Sequence, residues 1–139
     1  MGKLFADQRP MEGKTMTITD RIKQLKKDKN AVILAHYYVP GEVQAVADYI
    51  GDSYYLSKVA KDLAEQLIVF CGVYFMGESA KLLNPDKKVL MPDLCADCPM
   101  AHMADKETIQ KMRDSYGDLA VVCYINSTAE LKRYADVCV

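Results

Sequence analysis

The 139-residue chain has no excess of charge of either sign: 18 Lys and Arg stand against 19 Asp and Glu, a net charge of −1. That balance excludes a basic module built for nucleic acid or for an anionic membrane surface. Long apolar runs are also missing. The longest uncharged apolar stretch, Leu67 to Met76, falls far short of the roughly 20 residues that a membrane-spanning helix needs. The opening residues, Met1 to Asp7, hold no continuous apolar region followed by a small-residue cleavage site. No secretory signal is visible, and the expected compartment is the cytoplasm. The five cysteines are odd in number and cannot all pair within one chain, so a structural disulfide framework is not expected. What is present is the balance of a globular protein: 50% hydrophobic and 27% charged residues. That excludes a fibrous protein or a disordered tail and gives enough chain for a real core.

Residues 1–16 show no periodicity and read as a loose arm. Ile18, Ile22 and Leu25 then recur at helical spacing, with Thr19 or Asp20 as N-cap and lysines at the end. Ala31 to Ala35 is an apolar run of strand length. Val43, Val46, Ala47 and Ile50 predict a helix closed by Gly51, and Leu56, Val59, Ala60 and Leu63 a second one opened by Asp52 or Ser53. Leu67 to Cys71 reads as a buried strand, Tyr74 to Leu83 as a helix stopped by Asn84-Pro85, and Val89 to Met91 as a short strand. A loop from Pro92 to Ala104 precedes a helix over Asp105 to Tyr116. Leu119 to Tyr124 reads as a strand, Ser127 to Glu130 as a capping box opening a helix through Tyr134, and Ala135 to Val139 as a strand beginning. Apolar strands alternating with helices predict an α/β fold, a parallel sheet buried on both faces.

In such folds ligands sit beyond the carboxyl ends of the strands. Those ends carry His36-Tyr37-Tyr38, Cys71-Gly72, Pro92 through Met100, and Tyr124-Ile125-Asn126. A histidine such as His36 serves equally as a hydrogen-bonded core group, but its place at a strand end favours function. Ser53 and Asn126-Ser127-Thr128 each precede a helix, where an N-cap can also donate to a bound anion. Cys71 and Cys123 lie inside apolar runs and read as small core residues. Cys95 and Cys98 form a lone C-x-x-C with three readings. A redox pair wants its first cysteine at a helix N-terminus; a zinc site wants four ligands where Cys95, Cys98 and His102 give three; an iron–sulfur site takes thiolates that can come from distant parts of a chain.

Six segments in series carry a family resemblance: Ile33 to Tyr38, Ala47 to Ser53, Val69 to Met76, Leu83 to Asp93, Cys98 to Ala101 and Tyr124 to Glu130. Together they resemble quinolinate synthase, from about residue 18 to the last. The resemblance implies an enzyme that condenses iminoaspartate with dihydroxyacetone phosphate to give quinolinate, the pyridine precursor of NAD. It implies a 4Fe–4S cluster held by three cysteines, whose open iron acts as a Lewis acid, and three similar αβα domains around a central site. It also points to an L-aspartate oxidase as a functional partner.

Carried over by position, the resemblance makes Cys98 the first domain's cluster ligand and leaves Cys95 a bystander. It makes His36 and Ser53 contacts for carboxylate or phosphate oxygens, Tyr38 a proton-transfer group, and Tyr124 and Asn126 groups that orient the bound acid. The expected division is a loose arm (1–16), a first α/β domain with substrate groups and one cluster ligand (17–118), and the start of a second (119–139). The family's chains are roughly twice as long, so this one is expected to be the N-terminal part and inactive alone. The apolar ending Val137-Cys138-Val139 points the same way. The alternative expectation is a small redox or metal-binding domain using Cys95 and Cys98.

Overall fold

The Thr17 hydroxyl accepts a hydrogen bond from the Asp20 amide, and the Asp20 carboxylate accepts one from the Thr17 amide. This reciprocal box starts the first helix, α1 (Ile18–Asp28), and Thr17 is therefore its cap. Thr19 and Asp20, expected as caps, lie inside the helix, with Asp20 as the far side of the box. The computed structural model describes residues 16–139; the expected loose arm lies, but for Met16, outside the described residues. Asn30, at φ 47°, turns the chain into the sheet, a left-handed position that asparagine tolerates well.

Four parallel strands make the main sheet: β1 (Ala31–His36), β2 (Tyr49–Gly51), β3 (Leu67–Cys71) and β4 (Lys88–Leu90), in the order β2-β1-β3-β4. The register pairs Ala31 with Leu67 through Ala35 with Cys71, and Leu34 with Tyr49 through His36 with Gly51. Helices α2 (Gly41–Gln44), α3 (Ser53–Asp62), α4 (Tyr74–Leu83) and α5 (Lys106–Ser115) connect and flank it. A turn of 3-10 helix, Pro99–His102, interrupts the loop expected after β4. The architecture is the expected α/β class, a parallel sheet flanked by helices. Leu34, Ile68 and Phe70 are fully buried beneath Leu56, Ala60, Met76 and Ala80 of α3 and α4. Burial on both faces is realised at β1. In β3 it alternates, with Leu67, Val69 and Cys71 only half-buried on the second face. Gly77 lets α4 approach β4, since a Cβ there would run into the Met91 thioether.

The helix expected over Val43 to Ile50 does not form. Its first turn is α2, and Tyr49-Ile50-Gly51 pair as β2 instead. Asp48 decides the switch. Its amide donates to the Ile33 carbonyl, and its carboxylate accepts from the Ile33 amide at 2.8 Å. Both backbone groups of Ile33 are thereby taken, and the Lys26 ammonium holds the carboxylate at 2.6 Å. Tertiary pairing overrides a periodicity that eight residues satisfied by coincidence.

A second, two-stranded parallel sheet follows: β5 (Val122–Cys123), α6 (Ala129–Lys132) and β6 (Val137–Cys138). It repeats the β1–α2–β2 unit. Asp136 donates its amide to the Val121 carbonyl and accepts from the Val121 amide at 2.7 Å, while Arg113 takes the place of Lys26. The strand expected over Leu119 to Tyr124 is shorter, and α6 stops at Lys132, short of the expected Tyr134. Thr128, not Ser127, caps α6 by accepting from the Leu131 amide, and Ser127 is buried. Among the described residues no helix is long and apolar enough to cross a membrane.

Replacing Asp48 by Ala strips Ile33 of its side-chain acceptor and is expected to cost about 1–3 kcal/mol. Lys26→Met removes a partly exposed ion pair and one long hydrogen bond to the Val46 carbonyl, and should cost about 1 kcal/mol or less. Urea denaturation of both variants checks the order; equal midpoints would refute it.

Candidate functional site

A cavity of about 610 Å³ opens where β1 and β3 end. Parallel pairing places the ends of neighbouring strands side by side, so the residues that follow them share one space. His36 closes β1 and Tyr38 follows it; Ser53 is the first residue of α3, directly after β2; Cys98 comes from the loop beyond β4; Asn126 comes from the loop between β5 and α6. These five of the six residues singled out from the sequence line the cavity. Tyr124 does not. It is 60% exposed, but it lies close enough to Tyr37 to act on that phenol's charge.

Ser53 Oγ donates to Asn126 Oδ1 at 2.7 Å, joining two walls of the cavity. The His36 ring stacks on Tyr37 at 4.5 Å between centroids and meets Tyr38 edge-on at 4.6 Å. The Tyr38 amide reaches His36 Nδ1 at 3.3 Å, so Nδ1 acts as acceptor and the imidazole proton belongs on Nε2. Burial pushes the His36 pKa below its ordinary 6.5, with the Asp52 carboxylate offsetting part of the effect. The ring is therefore a neutral donor at neutral pH. The hydrogen bond between Tyr37 and Tyr38 raises the Tyr37 phenol above its usual value. Gly72 forms part of the wall; a Cβ there would press on the Met76 sulfur at 3.1 Å and the Phe70 ring at 3.3 Å, and would only touch His36 Cβ at 3.4 Å.

The loop carrying Cys98 is built around Asp97. One carboxylate oxygen accepts from the Cys98 amide at 2.8 Å; the other meets His102 Nε2 at 2.7 Å. The amide bond, with His102 second, lowers the Asp97 pKa. Cys98 is half-buried and packs against the core, whereas Cys95 is exposed, with its amide tied to Asp93. Cys95 is not part of the cavity lining.

Sequence reasoning passed over Cys71. It was expected as a buried core residue, but it is half-buried and lines the cavity. Its place as the last residue of a strand was the available signal. Cys123, by contrast, is buried as expected.

An iron–sulfur cluster takes thiolates. Cys98 offers one from a firmly held loop. Burial raises the Cys71 pKa and keeps that thiol protonated. Among the described residues no group of three or more His, Cys, Asp or Glu is arranged to hold a metal ion. The residues present thus fit one ligand position and not a complete cluster site. The same observation leaves Cys95, Cys98 and His102 short of a zinc site.

Two measurements check this geometry. Because the folded chain binds the His36 proton more weakly than the unfolded chain, its contribution to stability is complete above pH 6.5 and is lost as the pH falls below it. Denaturation midpoints should therefore fall less steeply with acid in His36→Gln than in the parent; parallel slopes would contradict it. Timed alkylation with iodoacetamide should label Cys95 and Cys138 first and Cys71 and Cys123 last. Labelling of Cys71 as fast as Cys95 would show that the cavity wall is not as described.

Residues 20–139 match the family model described as quinolinate synthetase A protein. Curated proteins named quinolinate synthase are close in sequence. That of Fusobacterium nucleatum subsp. nucleatum is 63% identical over 120 residues, 86% of this chain. Those of Clostridioides difficile and Methanocaldococcus jannaschii are 57% and 54% identical, each over 88% of it. The chain spans about 40% of the length of these relatives. By the family model and by identity over most of its length, the chain belongs to the quinolinate synthetase A protein family.

Proposed function

We propose that these 139 residues are the N-terminal part of a quinolinate synthase acting in cytoplasmic NAD biosynthesis. The observation that carries the reading is the convergence of His36, Tyr38, Ser53, Cys98 and Asn126 on one cavity at the strand ends. The reaction condenses iminoaspartate with dihydroxyacetone phosphate, forming the carbon–nitrogen and carbon–carbon links of the pyridine ring with loss of phosphate and water. An L-aspartate oxidase is the fitting source of the imino acid.

Neutral His36 donates through Nε2 to a carboxylate or phosphate oxygen without adding a full charge. Ser53, already donating to Asn126, sits at the start of α3, where free backbone N–H groups also favour an anion. Tyr38 exchanges a proton with the triose during isomerisation, and Asn126 orients the acid. Tyr124, at the exposed rim, contacts the acid when the remaining walls are in place.

Cys98 is the cluster ligand of this part. A 4Fe–4S cluster, with Cys98 as one of its ligands, would supply Lewis-acid chemistry toward a substrate oxygen. The remaining thiolates belong to the part of the family's length that these residues do not match. Residues 17–118 form the first α/β domain and 119–139 the opening of the second, a division supported by the separate sheets and by the repeated β–α–β unit with its aspartate.

The test is a chimera of this chain with the remaining length of the Fusobacterium nucleatum relative, assayed anaerobically for quinolinate. Cys98→Ser should abolish cluster absorption and activity, and Cys95→Ser should leave both near the parent. Full activity in Cys98→Ser would refute the assignment; loss in Cys95→Ser alone would favour a redox pair. The 139-residue chain itself, reconstituted with iron and sulfide, should hold no stable cluster.

A further inference from the structure

Asn126 is the cavity residue contributed from the β5–α6 side, and something must hold its loop against the main sheet. The Ser53 bond is a single hydrogen bond at the rim of an open cavity, too weak to fix the loop by itself. The α4–α6 contact supplies the rest. Glu78, half-buried on α4, accepts from the Ala129 amide at 2.9 Å through Oε2. Ala129 opens α6, and its amide has no partner within that helix. One turn of α6 later, Lys132 donates to Ser79 Oγ at 2.7 Å. Ser79 is itself buried and donates to the Phe75 carbonyl, so the lysine is anchored to a fixed acceptor.

We propose that Glu78 and Lys132 form a clamp that positions Asn126, setting how far it stands from Ser53 across the cavity. Both bonds run from α6 to α4: α4 accepts at Glu78 from the start of α6, and at Ser79 from its end. Together they fix both ends of a four-residue helix, which stops it from pivoting. Only Thr128, Ser127 and the Asn126 backbone separate the Glu78 bond from the cavity, so movement of α6 is passed directly to Asn126. Burial lowers the Lys132 pKa, and the Cys123, Cys138 and Glu78 side chains, in that order, restore part of it. Neither residue lines the cavity, and both act through Asn126. The inference rests on the function proposed above for the role of Asn126, but not for the clamp itself.

The experiment compares Glu78→Ala, Glu78→Gln and Lys132→Met in the 139-residue chain by two-dimensional NMR, with quinolinate as the titrated probe. Glutamine keeps an acceptor for the Ala129 amide; alanine does not. Glu78→Ala should shift the Asn126 side-chain amide and the Ser53 amide and weaken quinolinate binding about tenfold. Glu78→Gln should restore both to near the parent. Lys132→Met should move the same two resonances, and it decides the matter if Glu78→Ala does not fold. Unmoved Asn126 and Ser53 resonances in a folded variant would overturn the clamp, as would equal effects of Gln and Ala. The spectral comparison needs no ligand. The resonances decide the clamp whether or not the parent chain, without the remaining walls, binds quinolinate; the proposed function stands or falls on the chimera.

Discussion

One carboxylate makes the cavity possible. Asp48 holds the Ile33 amide with its side chain and the Ile33 carbonyl with its own backbone, and so starts β2 in register beside β1. From that point the chain has little freedom. Gly51 falls opposite His36, its carbonyl takes the Tyr37 amide, Asp52 caps α3 by accepting from the Tyr55 amide, and Ser53 comes next. A residue five positions away from any cavity group thus decides where the serine stands. The repetition of the device at Asp136, against Val121, gives the second sheet the same start and carries Asn126 on the same kind of loop that carries Tyr38.

The cavity joins two kinds of wall. The one made by β1 and β3 is anchored in the best-packed part of the molecule: Leu34, Ile68 and Phe70 admit no solvent, and Cys98 leans on the same cluster. The other hangs from a two-stranded sheet and a helix of one turn, which cannot be stable by themselves. Their order comes from polar contacts with α4 and from Arg113 of α5, whose guanidinium reaches the Asp136 carboxylate and the Tyr134 carbonyl. Hydrophobic burial fixes the histidine side, and hydrogen bonds fix the asparagine side.

Much of this was legible in the sequence wherever the signal was local. β1 and β3 are unbroken apolar runs, α4 ends at Asn84-Pro85, and α5 begins at the Asp105 cap. The strand-end rule pointed to the stretches that hold His36, Tyr38, Cys98 and Asn126, because in a parallel sheet position along the chain predicts position in space; Ser53 was read as a helix start, and the choice of these residues within their stretches came from the family resemblance. What failed was decided by partners distant in sequence. Val43 to Ile50 satisfies a helical period, and only the ladder with Leu34 to His36 makes part of it a strand. Tyr124 comes directly after β5, whereas His36 is the paired last residue of β1, and Tyr124 is left exposed outside the cavity lining. Cys71 was read by its apolar neighbours, not by its place at a strand terminus. The Ala-Asp pair at 47–48 and again at 135–136 was a readable sign of repetition, but its meaning depends on backbone groups that a sequence does not display.

The bond between Ser53 and Asn126 spans 73 residues. A ribosome adding 5–20 residues per second takes about 4–15 s to cover that distance. During that interval β1, β3 and the helices over them can already pack, with Ser53 and His36 open to solvent. These walls therefore mature in a fixed sequence: the scaffold first, the thiol loop next, the wall bearing Asn126 only when that residue has left the exit tunnel. Any small molecule or metal that needs Asn126 beside Ser53 meets the pair only after the scaffold is in place to receive it.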